Sequence, residues 1–240
     1  GSLGNPIFLA NFLLIQVFLA LFLFLESRGR HKWLWVTIAV LDAVTLFFTE
    51  SRGAFLALLA GLAIFLFGSV FLGQSRRVRW IALGGAMLAV GILTILFVFR
   101  DSLFLARVGA VSRLIGSGLA QFQSATRFIF WEIAWKGFLS RPLLGWGPEN
   151  FDIVFDRFYN PLLAHFSFHE TWADRPHNTI LEVMATSGSI GFLSYAAIFA
   201  ISVVLLVRTM RRLTLPPTSC LVVLGALTAY IVAGAFSFET

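Results

Sequence analysis

The chain is poor in charge: Asp, Glu, Lys and Arg together make up 12% of its 240 residues. Disorder needs polarity and net charge to keep a chain open, so this scarcity excludes it. It also excludes an ordinary soluble domain, in which about a quarter of residues are charged. A single cysteine, Cys220, excludes a disulfide framework and a cysteine metal cluster. Lying in an apolar run, it reads as a small buried hydrophobe. Low-complexity tracts and convincing repeats are also missing. The 18 basic and 12 acidic residues leave a charge of +6. The basic residues stand in short clusters between apolar runs, which is a topology pattern rather than a nucleic-acid footprint, so no nucleic-acid partner is expected.

What the chain has is apolar length. Hydrophobic residues make up 58% of it, with 27 Phe and 7 Trp. Six apolar runs stand out, at 6–25, 33–49, 53–73, 80–99, 186–207 and 220–238. Each is close to the roughly 20 residues that a helix needs to cross the hydrocarbon. Only helices and closed barrels satisfy their backbone in lipid, and these runs are too long and continuous for barrel strands. The expected fold is therefore all-α: a polytopic membrane protein of about six transmembrane helices. Residues 1–99 hold the first four, 100–185 form one large external loop, and 186–240 hold the last two.

Three basic clusters orient this arrangement. Arg28, Arg30 and Lys32, then Arg76, Arg77 and Arg79, then Arg208, Arg211 and Arg212 occupy alternate connections and fall on one side. By the positive-inside rule that side is the cytoplasm. The turn at 49–52 and the segment 100–185 then lie outside. Ser-Arg-Gly occurs at 27–29 and again at 51–53, on opposite faces, so the two copies cannot form one site. Asp42 lies inside the second run, where charge is costly. Pairing with an arginine or another helix, and protonated burial against Thr45, are both open to it.

The external segment carries most of the polar chemistry, as loops of such length usually do. RFIFWEIAWKGFL, residues 127–139, sets Trp131, Trp135 and Phe138 at helical spacing and pairs Glu132 with Lys136 at i,i+4. It reads as an amphipathic helix lying on the outer membrane surface. RPLLGWGPENF then reads as a turn-rich connector, and its Gly-x-Gly is no nucleotide fingerprint, since no strand precedes it. Asp174 is positioned to cap a helix starting at Arg175, with Pro176 in its first turn, which runs on into the fifth span. His177 would then sit at the positive end of that helix. The helix field would disfavour the imidazolium and leave a ring able to accept a proton. The same end, with Arg175, suits an anion. Interfacial anchoring of Arg175 and a capping role for His177 are the plainer alternatives. His165 and His169 share an i,i+4 metal-ligand spacing without an evident third ligand, so no metal is expected. Trp146, Tyr159 and Trp172 suit sugar stacking and interfacial anchoring alike.

Four stretches, in order, resemble the bacterial O-antigen ligase and polymerase superfamily. GSLGNPIFLANFL resembles its Gly-x-x-Gly-Asn-Pro helix start, and TESRGAFLALLAG its Ser-Arg-Gly opening of a span. RFIFWEIAWKGFLSRPLLGWGPENF resembles its Arg-x-x-x-Trp helix followed by Pro-Leu-Leu-Gly-x-Gly. HNTILEVMATSGSIGFLSY resembles its His-Asn-x-x-Leu-Glu signature with two later glycines. Members usually have more spans than six, so the resemblance implies a C-terminal portion of a longer protein.

The resemblance implies a membrane glycosyltransferase. It would move a glycan from a polyprenyl-pyrophosphate carrier to a glycan or lipid acceptor, in the outer face of the bacterial inner membrane. The external loop would be periplasmic, and neither cofactor nor metal would be needed. Arg52 and Arg127 match the family's pyrophosphate-holding arginines, with Arg175 as a further candidate from the helix-end argument. His177 matches its histidine, expected to take the acceptor hydroxyl's proton. Asn178 and Glu182, i,i+4 on one helix, are candidates to orient the site; a solvated surface pair is the bland alternative. Two other classes compete. A lipid-linked glycan transporter would show charges deep in several spans and broken helices at midplane. A non-catalytic accessory subunit would pack on partners of a larger membrane complex.

Overall fold

Long apolar runs close their backbone hydrogen bonds internally, and a computed structural model of the chain accordingly contains only helices among the residues it describes, 6–72, 76–98, 125–166 and 172–236. In chain order these are α1 (Pro6–Glu26), α2 (His31–Phe48), α3 (Arg52–Leu72), α4 (Arg76–Val98), α5 (Ala125–Ser140), α6 (Phe151–Arg157), α7 (Leu163–Phe166), α8 (Thr179–Arg211) and α9 (Pro217–Phe236). Among the described residues, α1, α2, α3, α8 and α9 are long and apolar enough to span a membrane. The protein is thus an all-α polytopic membrane protein. At the place of the expected fourth span, α4 runs unbroken for 23 residues. Its start at Arg76 puts the second basic cluster on the first turns of a helix rather than in a loop.

The chain divides into two compact units, residues 1–117 with 203–233, and residues 118–202 with 234–240. In the first, α1 has no charged residue before its last, Glu26, and buries Ala10, Leu13, Leu14, Val17 and Phe18. These meet Leu46 of α2, Ala54, Ala57 and Leu58 of α3, and Val222 and Ala229 of α9. Lipid tails are as apolar as leucine, so helices in a membrane associate through close packing at small residues. Gly61 of α3 and Gly225 of α9 show this. A Cβ on Gly61 would meet the Gly225 carbonyl oxygen at 2.5 Å, and one on Gly225 the Gly61 oxygen at 2.6 Å. The outward side chains Phe12, Ile15, Leu19, Phe67 and Phe71 are exposed, as lipid-facing residues must be. Between helix ends, the Ser219 hydroxyl donates to Glu26 at 2.6 Å. Thr45 donates its hydroxyl to Leu41 at 2.8 Å, and Asp42 Oδ2 has no hydrogen-bond partner among the described residues.

The second unit begins with α5, which extends the expected helix by a residue or two at either end. Its buried stripe is Ile129, Phe130, Ile133 and Ala134, set against Phe151, Val154 and Phe155 of α6 and Leu163 of α7. Gly137 completes the stripe, because a Cβ there would run into the Val154 side chain. Phe128, Trp135 and Leu139 are exposed on the other side, together with the 2.6 Å Lys136–Glu132 pair. Helix α5 therefore has two apolar stripes, one buried in its own unit and one outward. The short helices α6 and α7 follow the turn-rich connector.

Candidate active site

The start of α8 departs from the sequence expectation. The helix begins at Thr179, not at Arg175, and Asn178 rather than Asp174 caps it. Asn178 Oδ1 accepts from the Leu181 N–H at 3.1 Å, and its carbonyl accepts from Glu182 N at 2.9 Å. The cause is Pro176: its ring disfavours helical backbone at the residue before it, which is Arg175. His177 consequently precedes the cap, with φ of 54°. Left-handed backbone costs a non-glycine residue about 1–2 kcal/mol. Pro176, fully buried, braces it on one side, and the capped helix braces it on the other.

The His177 ring lies against Phe130 of α5, centroids 5.8 Å apart. Arg127 stands one turn earlier on the same face of α5. Burial pushes the His177 imidazole below its ordinary value; the Arg127 guanidinium pushes the same way, and Asp174 partly opposes them. The shift favours the neutral ring, and its chief cause is burial rather than the helix end.

The loop that leads here is held by a break in α8. Gly188 has φ 65° and ψ −167°, a conformation open essentially to glycine alone. The break frees backbone groups, and the turn at 142–147 takes them up. Trp146 N donates to Ala185 O at 3.1 Å, Gly147 N to Thr186 O at 2.7 Å, Ser189 N to Pro142 O at 2.8 Å and Ile190 N to Leu143 O at 3.3 Å. The backbones approach so closely that a Cβ on Gly188 would strike the Leu143 carbonyl, and one on Gly145 the backbone of Thr186. Trp146 pins the other side of the turn. Its indole N–H donates to Gly137 O at 2.9 Å, and the Arg141 guanidinium lies 4.1 Å over its ring.

The next four residues, Gly147-Pro148-Glu149-Asn150, form a turn closed by Asn150 N to Gly147 O at 3.3 Å. Proline second and a left-handed residue third is the type II pattern, whose third place favours glycine. Here it is Glu149, with φ of 62°. Both Glu149 carboxylate oxygens accept from Arg175 Nη2, each at 3.1 Å. Arg175 Nη1 donates to Glu182 Oε1 at 2.9 Å. The side chains of Arg175 and Glu182 are 19% and 14% exposed, that of Glu149 78%. An ion pair so open to water returns about 0–1 kcal/mol, no more than the backbone strain costs.

The second unit thus brings His177 and Arg127 within electrostatic reach and ties Arg175 to Glu182. It uses Asn178 as a cap and the partly buried Glu182 as a partner of Arg175, in place of the solvated pair that was the alternative. Arg52 belongs to the first unit, where it opens α3. His165 ends α7, while His169 lies outside the described residues. No cluster among the described residues could hold a metal. Sequence reasoning missed Glu149: its turn was legible, but its partner stands 26 residues away.

Membrane-length helices, joined to a helical unit that sets a half-buried histidine beside an arginine, define a polytopic membrane protein. Residues 37–196, well over half of the chain, match the family model described as O-antigen ligase, and the chain belongs to that family. It is, broadly, a membrane glycosyltransferase of the O-antigen ligase or polymerase type. No curated protein matches it.

Proposed function

We propose that this protein transfers a glycan from a polyprenyl-pyrophosphate carrier to an acceptor hydroxyl at the outer face of the bacterial inner membrane, without a metal. The observation that carries the reading is the neutral, half-buried His177 beside Arg127. The acceptor oxygen attacks the anomeric carbon while its proton passes to the His177 ring. The bond from that carbon to the pyrophosphate oxygen breaks, and the pyrophosphate leaves with the electron pair. Attack from the far side inverts the anomeric configuration. Arg127 and Arg52 hold the departing charge, a task that suits the planar guanidinium fork.

Arg127 also links the two events. It opposes protonation of His177; as bound pyrophosphate offsets its charge, the ring becomes the better base. Arg175, engaged by Glu149 and Glu182, serves the loop rather than the anion, and Asn178 and Glu182 act as its anchors. A transporter reading would expect broken helices, and α8 is broken, but the chain's own turn takes up the groups freed at Gly188.

The test is His177→Ala and Arg52→Lys in the full chain, reconstituted with the lipid-linked glycan fraction of the producing cells. His177→Ala should lose about 10²–10⁴-fold in transfer rate and still bind geranylgeranyl pyrophosphate. Arg52→Lys should weaken that binding about tenfold to hundredfold, as loss of a charge-assisted contact does. Undiminished transfer by His177→Ala refutes the reading and favours an accessory subunit.

A further inference from the structure

We infer that Glu149 is a positioning residue: through Arg175 it fixes the loop 175–178 and thereby the direction of the His177 ring. The inference rests on the reading of His177 as the base. A glutamate holds a turn position that favours glycine, and its exposed ion pair does not offset that strain, so stability does not account for it. Strained non-glycine backbone that stability does not explain points to function.

The geometry gives the function. Arg175 is gripped from two sides, Nη2 by Glu149 and Nη1 by Glu182. Each grip has a rigid base. Glu149 stands in the turn next to the segment that is hydrogen-bonded into the α8 break, and Glu182 stands in the first turn of α8. Only Pro176 and His177 separate Arg175 from the cap residue Asn178. Proline fixes its own φ, and the cap fixes the far end. With both ends held, His177 keeps its left-handed backbone and its ring stays on Phe130. Without Glu149, Arg175 loses the contact that ties it to the docked turn. Pro176 and His177 then gain freedom at the point where a hydroxyl must meet the ring.

The full chain is assayed in proteoliposomes with the same extracted glycan donor, as wild type, Glu149→Gly, Glu149→Gln and His177→Ala. Glycine suits the turn, so Glu149→Gly should unfold at a temperature equal to wild type or a few degrees higher. Its kcat should nevertheless fall about tenfold to hundredfold, the loss expected when a reacting group is misplaced by about an ångström. The donor KM should stay within about twofold. Glu149→Gln, which keeps the volume and one acceptor oxygen, should lie between and serves the same criterion should the glycine variant fail to fold. Wild-type kcat in both variants overturns the inference, as does a defect confined to the acceptor KM, which would make Glu149 a substrate contact. A His177→Ala variant that transfers normally marks the failure of the underlying reading instead.

Discussion

Gly188→Ala should unfasten the candidate site without touching any charged residue in it. The glycine has φ 65° and ψ −167°, and placing alanine there costs about 1–3 kcal/mol. The new Cβ would also run into the Leu143 carbonyl and stand 2.7 Å from Gly145 N. Both contacts are backbone, so neither can swing aside, and the turn at 142–147 must back away. Four backbone hydrogen bonds hold that turn, each worth about 0.5–1.5 kcal/mol net. Losing two brings the expected cost to about 2–6 kcal/mol, which lowers the unfolding midpoint of a chain this size by at least about 4 °C. Gly84→Ala is the control: nothing lies within 4 Å of its Cβ, and alanine in a helix is favoured by about 0.5–1 kcal/mol. Thermal unfolding of the purified protein in detergent, followed by tryptophan fluorescence, makes the comparison. A Gly188→Ala midpoint equal to that of wild type would refute the docking argument.

Asn178→Ala should lose about 1 kcal/mol as the Leu181 N–H loses its cap, and Asn178→Asp should restore most of it; the same unfolding assay decides. The pH dependence of kcat/KM, which reports the free enzyme, tests the field at His177. The neutral ring is the working form, so the rate falls as pH drops through its titration. Arg127→Gln removes a cause of the lowering and should move that acid limb to higher pH, still below the ordinary histidine value because burial remains. Asp174→Asn removes the opposing charge and should move it lower. Limbs that coincide with wild type in both variants would mean that His177 is not the titrating group.

The membrane architecture was legible because lipid leaves the backbone few choices: a run of about 20 apolar residues is a helix there. Boundaries were less so. Asp174 and Asn178 are both good caps, and the deciding influence was the restraint that Pro176 places on Arg175. The helix α6 could have been read, since Phe151, Val154, Phe155 and Phe158 recur at helical spacing. The role of Gly188 could not. Its sequence shows a glycine among small residues, while the cause of its backbone is a carbonyl more than 40 residues earlier. The link from Glu149 to Arg175 was hidden for the same reason: charge pairing across a fold leaves no trace in local pattern.

A spanning helix can present a side chain only at the angle its register allows, and every group it uses must clear the backbone of the next turn. The imidazole of His177, set against α5, stands on backbone that is not helical, and such backbone carries polar groups that need partners wherever water is scarce. This chain meets that need by breaking a helix at Gly188 and closing the break with the turn at 142–147. The cost of irregular backbone then concentrates at Gly188, Glu149 and His177, the first suited to it and the other two not. On this argument Gly188 is the fixed point and the two strained residues are what it supports. Perturbing Gly188 should disturb both, whereas relieving Glu149 with glycine should leave the docked turn intact.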